Sequence, residues 1–194
     1  MDSAQWDERY ATSEYQWKMA PNQFVAAQLA DLTAGRALDL AAGEGRNSVW
    51  LAERGWQVAA VDFSRVGLEK GRKLAASRDV TGIDWVVADL RDYRPAASAF
   101  DLVLIAYLHC DASLRAQVLG HAAAALAPGG TLFVVGHDLA NLSEGTGGPQ
   151  DPAVLYTAEA LRAELPGLSV LRAEQVSRTV GDATAIDVLL WGVR

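Results

Sequence analysis

Segment 36–64 holds the residues whose types and spacing best fit the binding of a small ligand. Gly43 and Gly45 form a loop between an apolar run that contains Asp39 and a helical run, and the next apolar run ends at Asp62. Glycine suits backbone that approaches a ligand closely or takes a positive φ angle. Ligands of open α/β sheets bind beyond the carboxyl ends of the strands. Asp62 is therefore placed to accept both hydroxyls of a ribose.

Two nucleoside cofactors fit this loop. The pattern Gly43-x-Gly45-x-x-Ser48 partly matches the GxGxxG fingerprint of NAD(P)-dependent reductases. That fingerprint places a pyrophosphate at the helix N-terminus, where Asp39 and Glu44 would repel it. The same carboxylates favour a positively charged sulfonium, and 194 residues leave no second domain for a reductase substrate. The sequence therefore favours S-adenosylmethionine over a dinucleotide.

Candidate acid–base residues follow the fourth and fifth apolar runs of the chain. His137 and Asp138 form the better pair for removing a proton, because imidazole titrates near neutral pH. His109 is a third candidate catalytic residue. Each histidine could instead hydrogen-bond a loop carbonyl, and both interpretations stay open. A base is needed only where the nucleophile arrives protonated.

The elements that must position these residues alternate between short apolar runs and amphipathic runs, which is typical of βαβ units and a parallel sheet. The apolar runs predict strands at 36–40, 57–62, 83–89, 100–108 and 131–137. Ser64 and Asp111 are predicted to cap two of the intervening helices. Two last β-rich runs, 168–180 and 183–194, are joined only by Gly181-Asp182, so this pair should be antiparallel.

The glycine loop and its flanks also resemble a known family. RALDLAAGEGRNSVWLAERGWQVAAVDFS (36–64) resembles motifs I and II of the class I S-adenosylmethionine-dependent methyltransferases, and LAPGGTLFVV (126–135) resembles their turn into strand five. Within that class, WDERY, DLAAGEGRNS and VDFS are similar to the small tellurite-resistance and thiopurine-type group. The resemblance covers nearly the whole chain. It implies one domain over 1–194, a Rossmann-like three-layer α/β sandwich with a seven-stranded, mostly parallel sheet. The implied strand order is 3-2-1-4-5-7-6, with strand 7 antiparallel.

The resemblance implies which residues hold the cofactor. By this likeness the methionine moiety is lined by Asp39, Ala41, Gly43 and Gly45, with Ala106 behind it at the end of strand four. Asp62 binds the ribose, and the adenine meets Asp89 and Leu90. Phe63, directly after Asp62, is the candidate to stack on the adenine ring. Ala41 departs from the family pattern, which has its first glycine there.

The N-terminal segment, 1–33, is predicted to form a lid, as it does in the resembled group. It carries Trp6, Tyr10, Tyr15 and Trp17, four of the chain's 6 Trp and 5 Tyr residues. Aromatic faces attract a sulfonium and can close over an apolar substrate, although they equally serve to attach an extra helix to the sheet. The loop 141–156 follows strand five and is predicted to cover the substrate. The predicted substrate contacts are Trp6, Tyr10, Trp17, Tyr107 and Tyr156.

The composition of the chain limits which classes of partner and which cellular compartments fit it. A net charge of −7 counts against a nucleic-acid partner held by phosphate charge, and the single cysteine fits a reducing compartment. The N-terminus lacks the order of a signal peptide, and no apolar stretch is long enough to span a bilayer. The sequence therefore predicts a cytoplasmic monomer or homodimer that methylates a small-molecule acceptor, with no metal. The alternatives are an NAD(P)-dependent reductase and a non-catalytic regulatory protein that binds S-adenosylmethionine.

Overall fold

The computed structural model describes residues 2–12 and 14–194, and the chain divides into two compact units. The first unit comprises residues 1–93 and the second comprises residues 94–194. Seven strands form a sheet in the order β3-β2-β1-β4-β5-β7-β6, numbered along the chain. This confirms the predicted α/β, Rossmann-like fold class and its strand order.

The first unit contains four helices and three strands among its described residues. The helices are α1 (Ser3–Tyr10), α2 (Gln23–Leu29), α3 (Arg46–Glu53) and α4 (Arg65–Ser77), and the strands are β1 (Arg36–Leu40), β2 (Gln57–Asp62) and β3 (Ile83–Val87). Strand β2 pairs in parallel with both β1 and β3. The bounds of β1 and β2 agree with the prediction, whereas β3 ends two residues before the predicted 89. Ser64 caps α4 as predicted, since its hydroxyl accepts a hydrogen bond from the Gly67 amide.

The second unit contains the remaining elements. Its strands are β4 (Phe100–Ala106), β5 (Leu126–His137), β6 (Ser169–Val180) and β7 (Ala183–Val193), and its helices are α5 (Ala112–Ala125), α6 (Asn141–Glu144) and α7 (Ala158–Ala163), with a 3-10 turn at Pro152–Val154. Strands β4 and β5 are parallel, while β7 runs antiparallel to both β5 and β6. The predicted terminal hairpin is confirmed, with Gly181 at a φ of +59° in its turn.

The antiparallel insertion of β7 has a local consequence for the candidate site. Its register places Asp187 opposite His137 at the end of β5. Both residues are buried, with exposed fractions of 0% for Asp187 and 8% for His137. Two polar residues that lie far apart in the sequence therefore become neighbours in the sheet.

The segment 141–156 is more ordered than the sequence analysis expected. It contains α6 and the 3-10 turn, and it is anchored by Asn141, which is 3% exposed. The Asn141 side-chain oxygen accepts a hydrogen bond from the Ile186 amide at 2.7 Å, and its nitrogen donates to the Gly147 carbonyl at 2.8 Å. A single buried amide thus connects this loop to β7, a long-range contact that a local sequence pattern does not reveal.

Over residues 2–12 and 14–194, none of the helices combines the length and the apolar character that crossing a membrane requires.

Candidate functional site

The glycine loop of the first unit is a run of left-handed backbone. Ala41, Gly43 and Gly45 have φ angles of +63°, +57° and +73°. The loop is held to the adjacent strand, because the Ala42 amide donates to the Val61 carbonyl at 3.0 Å. Ala41 keeps the conformation that favours glycine, and this costs a residue with a Cβ about 1–2 kcal/mol. The backbone therefore retains the turn expected at the family's first glycine.

Asp62 lies at the end of β2 with its carboxylate against this loop. One carboxylate oxygen accepts a hydrogen bond from the Gly43 amide and the other accepts one from the Ser64 amide, each at 2.8 Å. Burial raises the pKa of Asp62, and these two hydrogen bonds oppose the rise. A carboxylate oxygen has two acceptor positions, so each oxygen keeps one for a further hydrogen-bond donor. The sequence analysis did not predict that Asp62 holds the glycine loop in place.

Asp39 precedes the loop in β1 and is 1% exposed. Its carboxylate accepts a hydrogen bond from the Ser48 hydroxyl at 2.6 Å. Burial raises the pKa of Asp39 to about 7, and the nearby Asp62 acts in the same direction, while Ser48 opposes it. A protonated Asp39 near neutral pH leaves less negative charge beside the loop than the sequence suggested.

The raised pKa of Asp39 predicts that the free energy of unfolding falls as pH rises from about 4 to about 7. The unfolded chain releases this proton near pH 3.9, so in that window the folded state binds more protons than the unfolded state. Urea unfolding of the wild type and of Asp39→Asn between pH 4.5 and 8.5 measures the effect. We expect the free energy of unfolding of the wild type, relative to that of the variant, to fall by a few kcal/mol, because each pKa unit corresponds to about 1.4 kcal/mol. This difference should level off above pH 7. A difference that stays flat across this range would mean that Asp39 is already ionised near pH 4.

The N-terminal segment is attached directly to the glycine loop by Glu44. This carboxylate accepts hydrogen bonds from the Gln16 and Trp17 amides, at 3.0 and 3.1 Å, and forms an ion pair with Lys70 at 3.0 Å. The sequence analysis treated Glu44 as a free charge that would favour a sulfonium. In the structure its charge is compensated by Lys70, and its main contact is with the N-terminal segment.

The aromatic residues of this segment differ in their accessibility. Tyr10 is 5% exposed and packs against the glycine loop, so that a Cβ added at Gly43 would lie 2.9 Å from its hydroxyl. Trp17 is 42% exposed. The guanidinium of Arg9 lies 5.1 Å from the Trp6 ring centre and 5.7 Å from that of Trp17. Cation–π contacts with Arg9 thus already use ring faces that were predicted to meet the substrate, and substrate contact by these residues stays a prediction.

The residues predicted to meet the adenine lie after β2 and β3. Phe63, Asp89 and Leu90 are all half-buried. The Arg91 guanidinium holds the Asp89 carboxylate, with Nη2 at 2.6 Å, and these hydrogen bonds keep the pKa of Asp89 below its usual range. Ala106, in the second unit, is half-buried at the end of β4.

A cluster of polar and aromatic side chains surrounds His137 in the second unit. The sequence analysis paired His137 with Asp138, but the partner in the structure is Asp187, whose Oδ1 lies 3.1 Å from His137 Nδ1. Asp138 instead accepts hydrogen bonds from the Ala140 amide at 2.9 Å and the Gln175 side chain at 3.2 Å. Adjacent residues of a strand point to opposite faces, which explains why the expected pair does not form.

His109 uses both of its ring nitrogens within the second unit. Its Nε2 accepts a hydrogen bond from the His137 amide at 3.3 Å, so Nδ1 carries the proton and donates to the Val154 carbonyl at 2.9 Å. Burial lowers the pKa of His109 to about 4. The alternative of a histidine bound to a loop carbonyl is the one observed. His109 therefore supports His137 and has no free nitrogen to act as a base.

Of the three tyrosines predicted as substrate contacts, the two in the second unit have different environments. Tyr156 is 1% exposed, and its hydroxyl donates to the Leu108 carbonyl. Burial raises the pKa of Tyr156 far above its ordinary value. Tyr156 is a core residue that packs on the His109 ring at 5.3 Å, and substrate contact by Tyr156 stays a prediction. Tyr107 is half-buried, and its backbone φ of +60° is unusual for a side chain of this size.

Asp187 and Arg178 were missed by the sequence analysis. Asp187 Oδ2 accepts hydrogen bonds from the Tyr107 hydroxyl at 2.8 Å and from Arg178 Nε at 2.7 Å. Burial opposes ionisation, yet the close contact with His137, the hydrogen bond from Tyr107 and the charge of Arg178 keep the pKa of Asp187 below its usual range. The available signal was an aspartate within the apolar run of β7, because a charged residue there needs partners.

Comparison with known proteins finds a family match to part of the chain and a fold match to all of it. Residues 37–130, which include the glycine loop, Asp62 and Asp89, match a family described as a methyltransferase domain. Over its whole length the chain also resembles solved methyltransferases. One is the N-methyltransferase NodS from Bradyrhizobium japonicum in complex with S-adenosyl-L-homocysteine, with a TM-score of 0.76, 15% identity, and coverage of 99% of this chain and 97% of that one. This chain has the methyltransferase fold.

Two further likenesses support the same fold. A protein solved in work on the conversion of a disulfide bond into a thioacetal group during echinomycin biosynthesis has a TM-score of 0.79 and 20% identity, with coverage of 99% and 92%. A ubiquinone/menaquinone biosynthesis C-methyltransferase from Desulfotalea psychrophila is 37% identical over 111 residues, which are 56% of this chain and 44% of the relative. The chain thus spans less than half the length of that curated relative.

Proposed function

We propose that this chain transfers a methyl group from S-adenosylmethionine to a small-molecule acceptor. The observation that carries the proposal is the glycine loop held against Asp62, within the residues that match the methyltransferase-domain family. The left-handed loop leaves the backbone open to a ligand, and Asp62 keeps acceptor positions for two ribose hydroxyls. The residues present therefore fit S-adenosylmethionine. When bound, it supplies an electrophilic methyl group on a positively charged sulfur.

The proposal assigns a role to each residue of the first unit that is predicted to hold the donor. Asp62 binds the ribose, the loop from Ala41 to Gly45 lines the methionine part, and Phe63 stacks on the adenine. Asp89 and Leu90 meet the adenine edge. Tyr10, packed on the loop, excludes water from the bound donor. Exclusion of water and correct positioning are the main requirements of an in-line methyl displacement.

The acceptor is proposed to be a small molecule, since the net charge of −7 disfavours nucleic acid. Membership of the tellurite-resistance and thiopurine-type group, a cytoplasmic location and a monomeric or homodimeric state stay predictions from the sequence. The whole chain is proposed to act as one methyltransferase domain.

Calorimetry with S-adenosylhomocysteine tests the proposal, with NADH as the competing ligand. We expect S-adenosylhomocysteine to bind and NADH not to bind, and the reverse would favour a reductase. Asp62→Ala should weaken S-adenosylhomocysteine binding by about ten- to a hundredfold, since an unpaired ribose hydroxyl costs about 1–3 kcal/mol. Donor binding without transfer of a labelled methyl group across a broad acceptor panel would indicate a regulatory protein.

A deoxyribose analogue separates the ribose contact from the role of Asp62 in holding the loop. The wild type should bind S-adenosylhomocysteine about ten- to a hundredfold more tightly than its 2′-deoxy analogue, because the analogue leaves the carboxylate without one partner. In Asp62→Ala the two ligands should bind almost equally. If the wild type and Asp62→Ala prefer S-adenosylhomocysteine over its 2′-deoxy analogue by the same factor, Asp62 holds the loop only and does not bind the ribose.

A further inference from the structure

A cleft of the first unit lies between the N-terminal segment and α4. Its volume is about 350 Å³, which is within the range of cavities that hold small molecules. Residues 10–12 form one wall. The charged side chains of the other wall all come from α4, and they are Arg65, Glu69, Lys70, Arg72 and Lys73. The cleft therefore has room for a small molecule and presents mainly positive charge to it.

Helix α4 is positively charged in a chain that is negatively charged overall. It carries four of the 17 Lys and Arg residues but only one of the 24 Asp and Glu residues, while the net charge of the chain is −7. A local excess of one sign attracts ligands of the opposite sign. The wall that α4 contributes to the cleft therefore favours an anion.

Two of the four cations in the cleft are already compensated within the protein. Lys70 forms an ion pair with Glu44 at 3.0 Å, and Arg72 forms one with the single carboxylate of the cleft at 3.1 Å. The side chains of Arg65 and Lys73 are different, since neither has a hydrogen bond or an ion pair with residues 2–12 or 14–194. Both residues are exposed. Two positive charges are thus available to a ligand.

Arg65, Glu69 and Lys73 form one row along α4. Residues four positions apart on a helix are neighbours, so this row extends over about 12 Å. The Arg72 guanidinium holds the Glu69 carboxylate in the middle of the row, which reduces its repulsion of an anion. The two uncompensated cations, at the ends of the row, have long side chains that can reach towards one ligand.

We propose that this cleft binds a free small molecule with a phosphate or diphosphate group, held by Arg65 and Lys73. The proposal does not depend on the methyl transfer proposed above. A guanidinium matches phosphate oxygens with two parallel hydrogen bonds. A phosphate monoester carries about two negative charges at neutral pH, whereas a carboxylate carries one, so the phosphate better balances two cations. A membrane lipid offers the same group, but a recess between two segments suits a free molecule better than a flat surface.

Titration calorimetry with sodium pyrophosphate at low ionic strength tests the site. Arg65→Gln and Lys73→Gln should each weaken binding by about three- to tenfold, because each removes one charged contact at an exposed position. Lys18→Gln is the matched control and should bind as the wild type does, since Lys18 is exposed but is not among the described residues that line the cleft. Glu69→Gln should strengthen binding by up to about fivefold, because it removes the opposing carboxylate.

The opposite effects expected at Lys73 and Glu69 separate a binding site from general damage to the fold. Failure of the wild type to bind pyrophosphate, or equal weakening by Lys18→Gln, would overturn the proposal. Sedimentation with phosphatidylcholine vesicles that contain phosphatidic acid tests the lipid as the source of the phosphate. We expect the protein to stay in the supernatant. Sedimentation that Lys73→Gln abolishes would assign the cleft to a lipid headgroup and overturn the assignment to a free molecule.

Discussion

Gly45→Ala is expected to lower the free energy of unfolding by about 2–5 kcal/mol, combining the cost of left-handed backbone with that of overpacking. Gly45 has a φ of +73°, and a Cβ there would lie 2.6 Å from the Trp85 ring and 3.1 Å from the Gly71 Cα. The indole and the backbone of α4 would both have to move. Chemical denaturation measures the loss, and calorimetry should show weaker S-adenosylhomocysteine binding as well.

Two glycines within helices provide controls for this prediction. Gly71 lies in α4, where a Cβ would be 2.4 Å from the same Trp85 ring, whereas in α5 a Cβ at Gly120 would meet no atom of the described chain within 4 Å. Gly120→Ala should therefore stabilise the protein by up to about 1 kcal/mol through helix propensity. Gly71→Ala should destabilise it. If the three variants have equal stability, packing against Trp85 does not require these glycines.

Glu164→Ala is expected to lower the free energy of unfolding by about 3–5 kcal/mol, because it leaves a buried guanidinium without its counter-charge. Arg115 is 7% exposed, and its guanidinium contacts both carboxylate oxygens of Glu164, at 2.6 Å from Nη2 and 2.9 Å from Nε. The pair packs beside Tyr156, whose ring centre is 5.4 Å from the guanidinium carbon. The loss of this pair should therefore also loosen the support of His109 and His137.

An exposed ion pair of similar length is the control for Glu164→Ala. Glu69 and Arg72 lie 3.1 Å apart on α4, and their side chains are 57% and 41% exposed. Glu69→Ala should change the free energy of unfolding by less than about 1 kcal/mol, since water screens exposed pairs. Denaturant titration compares the two variants. Equal effects would show that burial does not strengthen the Arg115–Glu164 pair.

The glycine loop of the first unit and the His137 cluster of the second unit form from different ranges of contact along the chain. The glycine loop, Asp39 and Asp62 belong to one βαβ unit, so their contacts form between residues close in the sequence. The cluster around His137 assembles residues from β5, β6 and β7 and from the turn directly after β4. Variants in the glycine loop should therefore weaken S-adenosylhomocysteine binding, whereas variants in the terminal hairpin should leave that binding intact.

Local sequence determined the fold class and the conformation of the glycine loop. Alternating runs, helix caps and the short Gly181-Asp182 connection indicated a parallel sheet with an antiparallel end, and the structure has that topology. The loop from Ala41 to Gly45 could be recognised because glycine spacing and the ends of adjacent parallel strands are local features. Even Ala41, which stands where the resembled family has its first glycine, adopts the expected left-handed backbone, with a φ of +63°.

Only the tertiary structure decided which carboxylate faces His137. From the sequence, the adjacent Asp138 was the natural partner, but neighbours along a strand point to opposite faces. Asp187 reaches His137 through the register of two antiparallel strands, while Arg178 reaches Asp187 from β6 and Tyr107 reaches it from the turn directly after β4. Such a register depends on packing across the whole sheet, because a slip of one residue would turn Asp187 to the other face. No local pattern carries that information.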